Sequence, residues 1–95
     1  MARQERKAAR RYVVRGRVQG VGYRYFAQEW AHEIGVTGWV KNRDDGNVEV
    51  YAVGTEGQLS DFVGRLRQGP RMSDVRGVEE REAALLQSDG FAIKH

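Results

Sequence analysis

The chain has no cysteine and only two histidines, His32 and His95, among its 95 residues. Without cysteine, neither a disulfide framework nor thiolate zinc ligation is available, and no oxidising compartment is implied. No apolar run approaches the roughly 20 residues that a membrane-spanning helix needs. The basic N-terminal stretch is not followed by the apolar segment of a secretory signal. A soluble, cytoplasmic protein is therefore expected. The length suits one domain with a compact core and leaves no room for a second.

A strongly basic body is missing too. Arg3, Arg6, Lys7, Arg10 and Arg11 face only Glu5, so residues 1–11 carry +4 and the remainder −1, for a formal net charge of +3. The excess sits in a tail, which weakens any reading of the folded part as a nucleic-acid surface. Residues 1–10 read as a disordered basic extension ahead of a domain covering 11–95.

What is present begins with an alternating run. Tyr12, Val14, Gly16 and Val18 share one face, and Val13, Arg15 and Arg17 the other, as in a strand with one buried side. From Tyr23 the period changes: Tyr23, Phe26, Ala27, Trp30 and Ile34 form a helical stripe that stops naturally at Gly35. Between the two lies Gly16-Arg17-Val18-Gln19-Gly20-Val21-Gly22-Tyr23-Arg24. Three glycines there let the backbone turn sharply and aim N–H groups into one concavity at a helix start. Arg24 in the first turn adds a cationic fork suited to phosphate.

Residues 36–42 and 48–53 read as strands of a hairpin, with Arg43-Asp44-Asp45-Gly46-Asn47 as the turn and Gly46 at positive φ. Asp44 and Asp45 are turn residues rather than metal ligands on this reading. Thr55 and Gln58 can form a capping box for a second helix, whose stripe is Leu59, Phe62, Val63 and Leu66 and which ends near Gln68. Val75 and Val78 open a charged strand fit for a sheet edge. After a connection of undefined shape, Phe91 and Ile93 suggest a short closing strand. The order β, α, β, β, α, β with an extra terminal strand describes an α+β, ferredoxin-like split β-α-β sandwich: a mainly antiparallel sheet with both helices on one face. His32 reads as solvated and His95 as a chain terminus. Trp39 and Tyr51 either form an exposed aromatic strip on the open sheet face or pack against each other.

Gly16 through Arg24 resembles the first signature of the acylphosphatases. Gly38-Trp39-Val40-Lys41-Asn42, followed by Gly46, Val48 and Gly54, resembles the second. Both blocks occur in the family's order and separation, and the likeness covers nearly everything after Arg10, including the Phe91-Ala92-Ile93 ending. The resemblance implies hydrolysis of the carboxyl–phosphate bond of small acyl phosphates without metal or organic cofactor. It implies that the backbone of Gln19, Gly20, Val21, Gly22 and Tyr23 cradles the phosphoryl group, that Arg24 holds it by charge, and that Asn42 positions the attacking water. A phosphate or sulfate anion would occupy the same loop, and the protein is expected to act as a monomer. Gly22 is small where a bulkier residue also occurs in the family, and Lys41 stands where arginine is often seen. Two other readings compete. One is a nucleic-acid-binding module, disfavoured by the absence of an aromatic RNP-like run. The other is a non-catalytic regulatory domain like those inside larger carbamoyl-transfer proteins, since fold alone never proves activity.

Overall fold

The computed structural model describes residues 6–95. Its elements are β1 (Lys7–Arg17), α1 (Tyr23–Ile34), β2 (Thr37–Asn42), β3 (Val48–Thr55), α2 (Glu56–Gln68), β4 (Asp74–Glu82) and β5 (Phe91–Lys94). They build one sheet in the order β4-β1-β3-β2-β5. All pairings are antiparallel except β2 with β5. This is the expected ferredoxin-like sandwich with its extra strand.

Alternation decides which side the helices take. Tyr12, Val14, Val40, Val48, Val50 and Ala52 point one way and meet Tyr23, Ala27 and Ala31 of α1 and Leu59, Phe62 and Leu66 of α2. Phe62 and Leu66 are fully buried, and each such side chain contributes about 1.5–3 kcal/mol of transfer free energy. Thr55 caps α2 as its sequence suggests. Its hydroxyl accepts from the Gln58 N–H at 3.2 Å, while its own N–H donates to Gln58 Oε1 at 2.9 Å. Tyr23 ties the helices together by donating its buried hydroxyl to the Leu66 carbonyl at 2.7 Å.

β4 and β5 lie at opposite edges, so residues 83–90 must cross the sheet, and the helices already occupy one face. The connection therefore straps the other. The Ala83 N–H donates to Ala9 O at 3.3 Å. The Tyr51 hydroxyl donates to Ala84 O at 2.7 Å and accepts from the Leu86 N–H at 2.8 Å. Trp39 and Tyr51 consequently stack on each other, 6.0 Å between ring centroids. With Tyr51 only 4% exposed, they are no open strip for bases.

Two expectations need correction. The domain starts earlier than residue 11, because β1 begins at Lys7 and Lys7, Ala8, Ala9 and Arg10 pair with Thr55, Gly54, Val53 and Ala52 of β3. Order prevails there because the cations have distant partners that the linear charge run hides. Arg10 lies 2.9 Å from Glu56 and 3.7 Å from Glu80, and Arg11 lies 3.3 Å from Glu49. The rest of the supposed extension, residues 1–5, is outside the described residues. The second correction concerns Gly16, which is not part of the bend. It sits inside β1 at a bulge against β4, with φ of 123°. A Cβ there would stand 2.1 Å from the Asp74 carbonyl oxygen, so glycine serves the close approach of two strands.

Candidate active site

β1 and β2 both run antiparallel to β3, so they are parallel to each other and end on the same side of the sheet. Val14 of β1 and Asn42 of β2 flank the same residue, Val48. At about 4.8 Å per strand spacing, their backbones are roughly 10 Å apart. The loop leaving β1 and the last residue of β2 are thereby brought to one rim.

Gln19 joins them. Its Nε2 donates to both Arg43 O and Asn47 O at 2.8 Å, pinning the loop onto the β2–β3 turn. The side chain of Gln19 is thus occupied, which leaves only backbone for the ligand role expected of it. Val21 packs against the core and Tyr23 is buried in it. Gly20 and Gly22 are exposed with φ of 73° and 81°, a conformation that side-chain-bearing residues rarely adopt. Gly22 is the N-cap of α1 and offers no side chain to cap it, nor does the first turn contain an acidic residue. The backbone N–H groups of Gly20 to Tyr25 have no hydrogen-bond acceptor among the described residues. Such a set of convergent donors at a helix start favours an anion.

Arg24 stands in the first turn of α1, half-buried. Its Nη1 donates to Lys94 O at 3.2 Å and lies 3.2 Å from His95 Nδ1. Neither partner is a carboxylate. Arg10, Arg11, Arg15, Arg43, Arg76 and Arg81 are paired with acidic side chains; Arg24, like Arg17, Arg65, Arg67 and Arg71, has no such pair among the described residues, and it is the one of these that stands in the first turn of α1. Because β5 pairs in register with β2, with Lys94 beside Lys41, the Arg24 anchor is one step from Asn42. Asn42 follows Val40 and Lys41, so alternation turns its side chain toward the helix face. That side chain makes no hydrogen bond among the described residues. The turn is closed by others: Asn47 N–H donates to Asp45 Oδ1 at 3.0 Å and Arg43 Nε to Asp45 Oδ2 at 3.1 Å. These contacts, the backbone donor first, hold the Asp45 carboxyl below the usual range. Asp45 is the turn residue it was expected to be, and Asn42 is left free of turn duty.

The one participant not foreseen is His95. Chain position alone made it a terminus, and no local pattern marks a contact that spans 71 residues of sequence. A groove of about 450 Å³ on the opposite sheet face, lined by Arg11, Arg15, Arg43, Glu49 and Glu79 among others, is crossed by ion pairs.

These features define a small ferredoxin-like α+β domain whose first helix opens with a glycine-rich, donor-lined loop beside a strand-end asparagine. Comparison with known proteins identifies the lineage. The acylphosphatase family model matches residues 10–93, and the chain belongs to that family. It is 60% identical over 86 residues to the acylphosphatase of Solibacter usitatus, covering 90% of each chain. The crystal structure of acylphosphatase from Bacillus subtilis superposes with a TM-score of 0.89 at 43% identity, covering 92% of this chain and 98% of that one. The same fold also occurs inside a larger protein: T. kodakarensis HypF matches at a TM-score of 0.78 and 29% identity, over 95% of this chain but 12% of that one.

Proposed function

We propose that this chain hydrolyses acyl phosphates to a carboxylate and inorganic phosphate, using Arg24, Asn42 and the loop backbone. The observation that carries the assignment is that three groups lie at one rim: amides from Gly20 onward without an acceptor among the described residues, a guanidinium whose partners there include no carboxylate, and an Asn42 amide free of the turn. The amides and Arg24 bind the phosphoryl oxygens, whose charge is spread over the equatorial positions during transfer. The Asn42 carbonyl orients a water in line with the scissile bond while its NH₂ donates to a neighbouring oxygen. The water oxygen bonds to phosphorus, and the P–O bond to the acyl group breaks with its electron pair leaving on the carboxylate. That carboxylate is a weak base and needs no strong acid. Asparagine is not a useful base, so the water's proton passes to a phosphoryl oxygen. Turnover therefore requires neither histidine nor metal on this reading.

The test is hydrolysis of benzoyl phosphate with and without EDTA. The native chain should turn over equally in both. Arg24→Ala should lose kcat/KM by about 10²–10³-fold, as loss of a charge-stabilising donor does. Asn42→Ala should lose kcat by about 10²-fold while keeping its affinity for inorganic phosphate. Inactivity of the native chain on several acyl phosphates, or full activity in either variant, refutes the assignment. The competing nucleic-acid reading is disfavoured, because the strap engages Tyr51 and Trp39 stacks on that ring.

A further inference from the structure

We infer that His95 is a positioning residue for Arg24: the imidazole holds Nη1 so that the other edge of the guanidinium is presented to the anion. This rests on the proposed function of the loop, and the geometry supplies the rest. A guanidinium has five N–H bonds, two of them on Nη1, and no acceptor capacity. Both Nη1 hydrogens are accounted for by Lys94 O and His95 Nδ1, each at 3.2 Å. Since Arg24 can only donate, Nδ1 must be the acceptor, which fixes the ring as the Nε2–H tautomer. What remains is the Nε/Nη2 edge, whose parallel N–H bonds match two oxygens of a phosphoryl group. Among the described residues this edge has no hydrogen-bond partner.

The anchor is placed by the fold. β5 is the parallel partner of β2, and Gln28 of α1 also reaches it, donating Nε2 to Phe91 O at 3.0 Å. The strand is thus held from α1 on one side and from β2 on the other. Its last pairing is Lys94 with Lys41, so His95 follows at the level of Asn42. One short strand therefore sets the distance between the phosphate-holding cation and the water-positioning amide. The Lys94 ammonium does not compete at Arg24, because it lies over Trp39, 4.7 Å from the ring centroid, on the far face.

Four variants of the full chain test the inference: His95→Ala, which removes the ring; His95→Phe, which keeps a ring without an acceptor; His95→Asn, whose Oδ1 stands close to the position of Nδ1; and His32→Ala, a control on the exposed face of α1. Binding of inorganic phosphate is measured by calorimetry and benzoyl phosphate hydrolysis by initial rates. Loss of one solvent-exposed hydrogen bond from the guanidinium predicts phosphate binding and kcat/KM weakened about 3- to 10-fold in both His95→Ala and His95→Phe. His95→Asn should recover to within about 2-fold of the native chain, and His32→Ala should match it. In an Arg24→Ala background, His95→Ala should cause no further loss, since the histidine acts through that arginine. Native values in His95→Phe, or equal losses in His95→Phe and His95→Asn, would overturn the inference in favour of packing alone. The two failures are separable. Phosphate binding that follows the histidine series without any acyl phosphate turnover refutes the proposed reaction and leaves the positioning role standing. Native turnover with an indifferent series does the reverse.

Discussion

Replacing Gln19 tests the link between loop and hairpin most directly, because one side chain makes both connections. Its Nε2 donates at 2.8 Å to Arg43 O and at 2.8 Å to Asn47 O. A net contribution of about 0.5–1.5 kcal/mol per bond gives about 1–3 kcal/mol in total. The lower half of that range is expected for Gln19→Ala, because the two carbonyls keep other donors. Asn47 O still accepts from Arg43 N–H at 2.9 Å, and Arg43 O from Gly46 N–H at 3.3 Å. Gln19→Glu should be worse, since it replaces a donor by a carboxylate facing two carbonyl oxygens. For a domain of this size about 1–2 kcal/mol corresponds to a melting point lower by about 4–16 °C. Calorimetry or a urea titration at neutral pH reads it. Activity adds a second readout. The tether sets the loop amides and Arg24 against Asn42, so kcat should fall more than KM rises. A Gln19→Glu chain as stable and as active as the native one would refute the reasoning.

Three further outcomes follow from buried hydroxyls and surface charge. Tyr23→Phe should destabilise by about 1–3 kcal/mol, because it orphans the Leu66 carbonyl that the buried hydroxyl serves at 2.7 Å. Tyr12→Phe should be neutral or stabilising in the same urea titration, because the Tyr12 hydroxyl is buried without a partner among the described residues. Glu79 should titrate below the ordinary glutamate range, held down first by the hydrogen bond from Arg15 and then by that from Arg81. A depressed folded value means that its contribution is present above the unfolded pKa and lost as pH falls through the folded one. Carbon NMR titration should show the Glu79 midpoint rise in Arg15→Ala, and an unchanged midpoint would discount the pair.

Much of the fold could be read from local pattern because its causes are local. The alternation from Tyr12 to Val18, the stripe from Tyr23 to Ile34, the Thr55–Gln58 box and the turn at Gly46 each arise from neighbours within a few residues. Arg24 and Asn42 were singled out differently, by the resemblance of the two blocks that hold them to the family's signatures. The start of β1 was not visible in that way. Lys7 to Arg10 look like a solvated charge run until Glu56 and Glu80 arrive from α2 and β4. Gly16 looked like part of the bend, and only the approach of β4 shows what it is for.

The sequence by itself determined the elements, their order and the glycine-rich helix start, because periodicity and turn chemistry act over short range, and its two signature blocks carried the resemblance to the family. Tertiary structure alone decided what each site residue is free to do. Gln19 is spent on the hairpin, Asp45 closes the turn and leaves Asn42 its amide, and the parallel pairing of β5 with β2 brings His95 to Arg24. Those are choices among hydrogen-bond partners far apart in the chain, and they are settled only when the strands are in register.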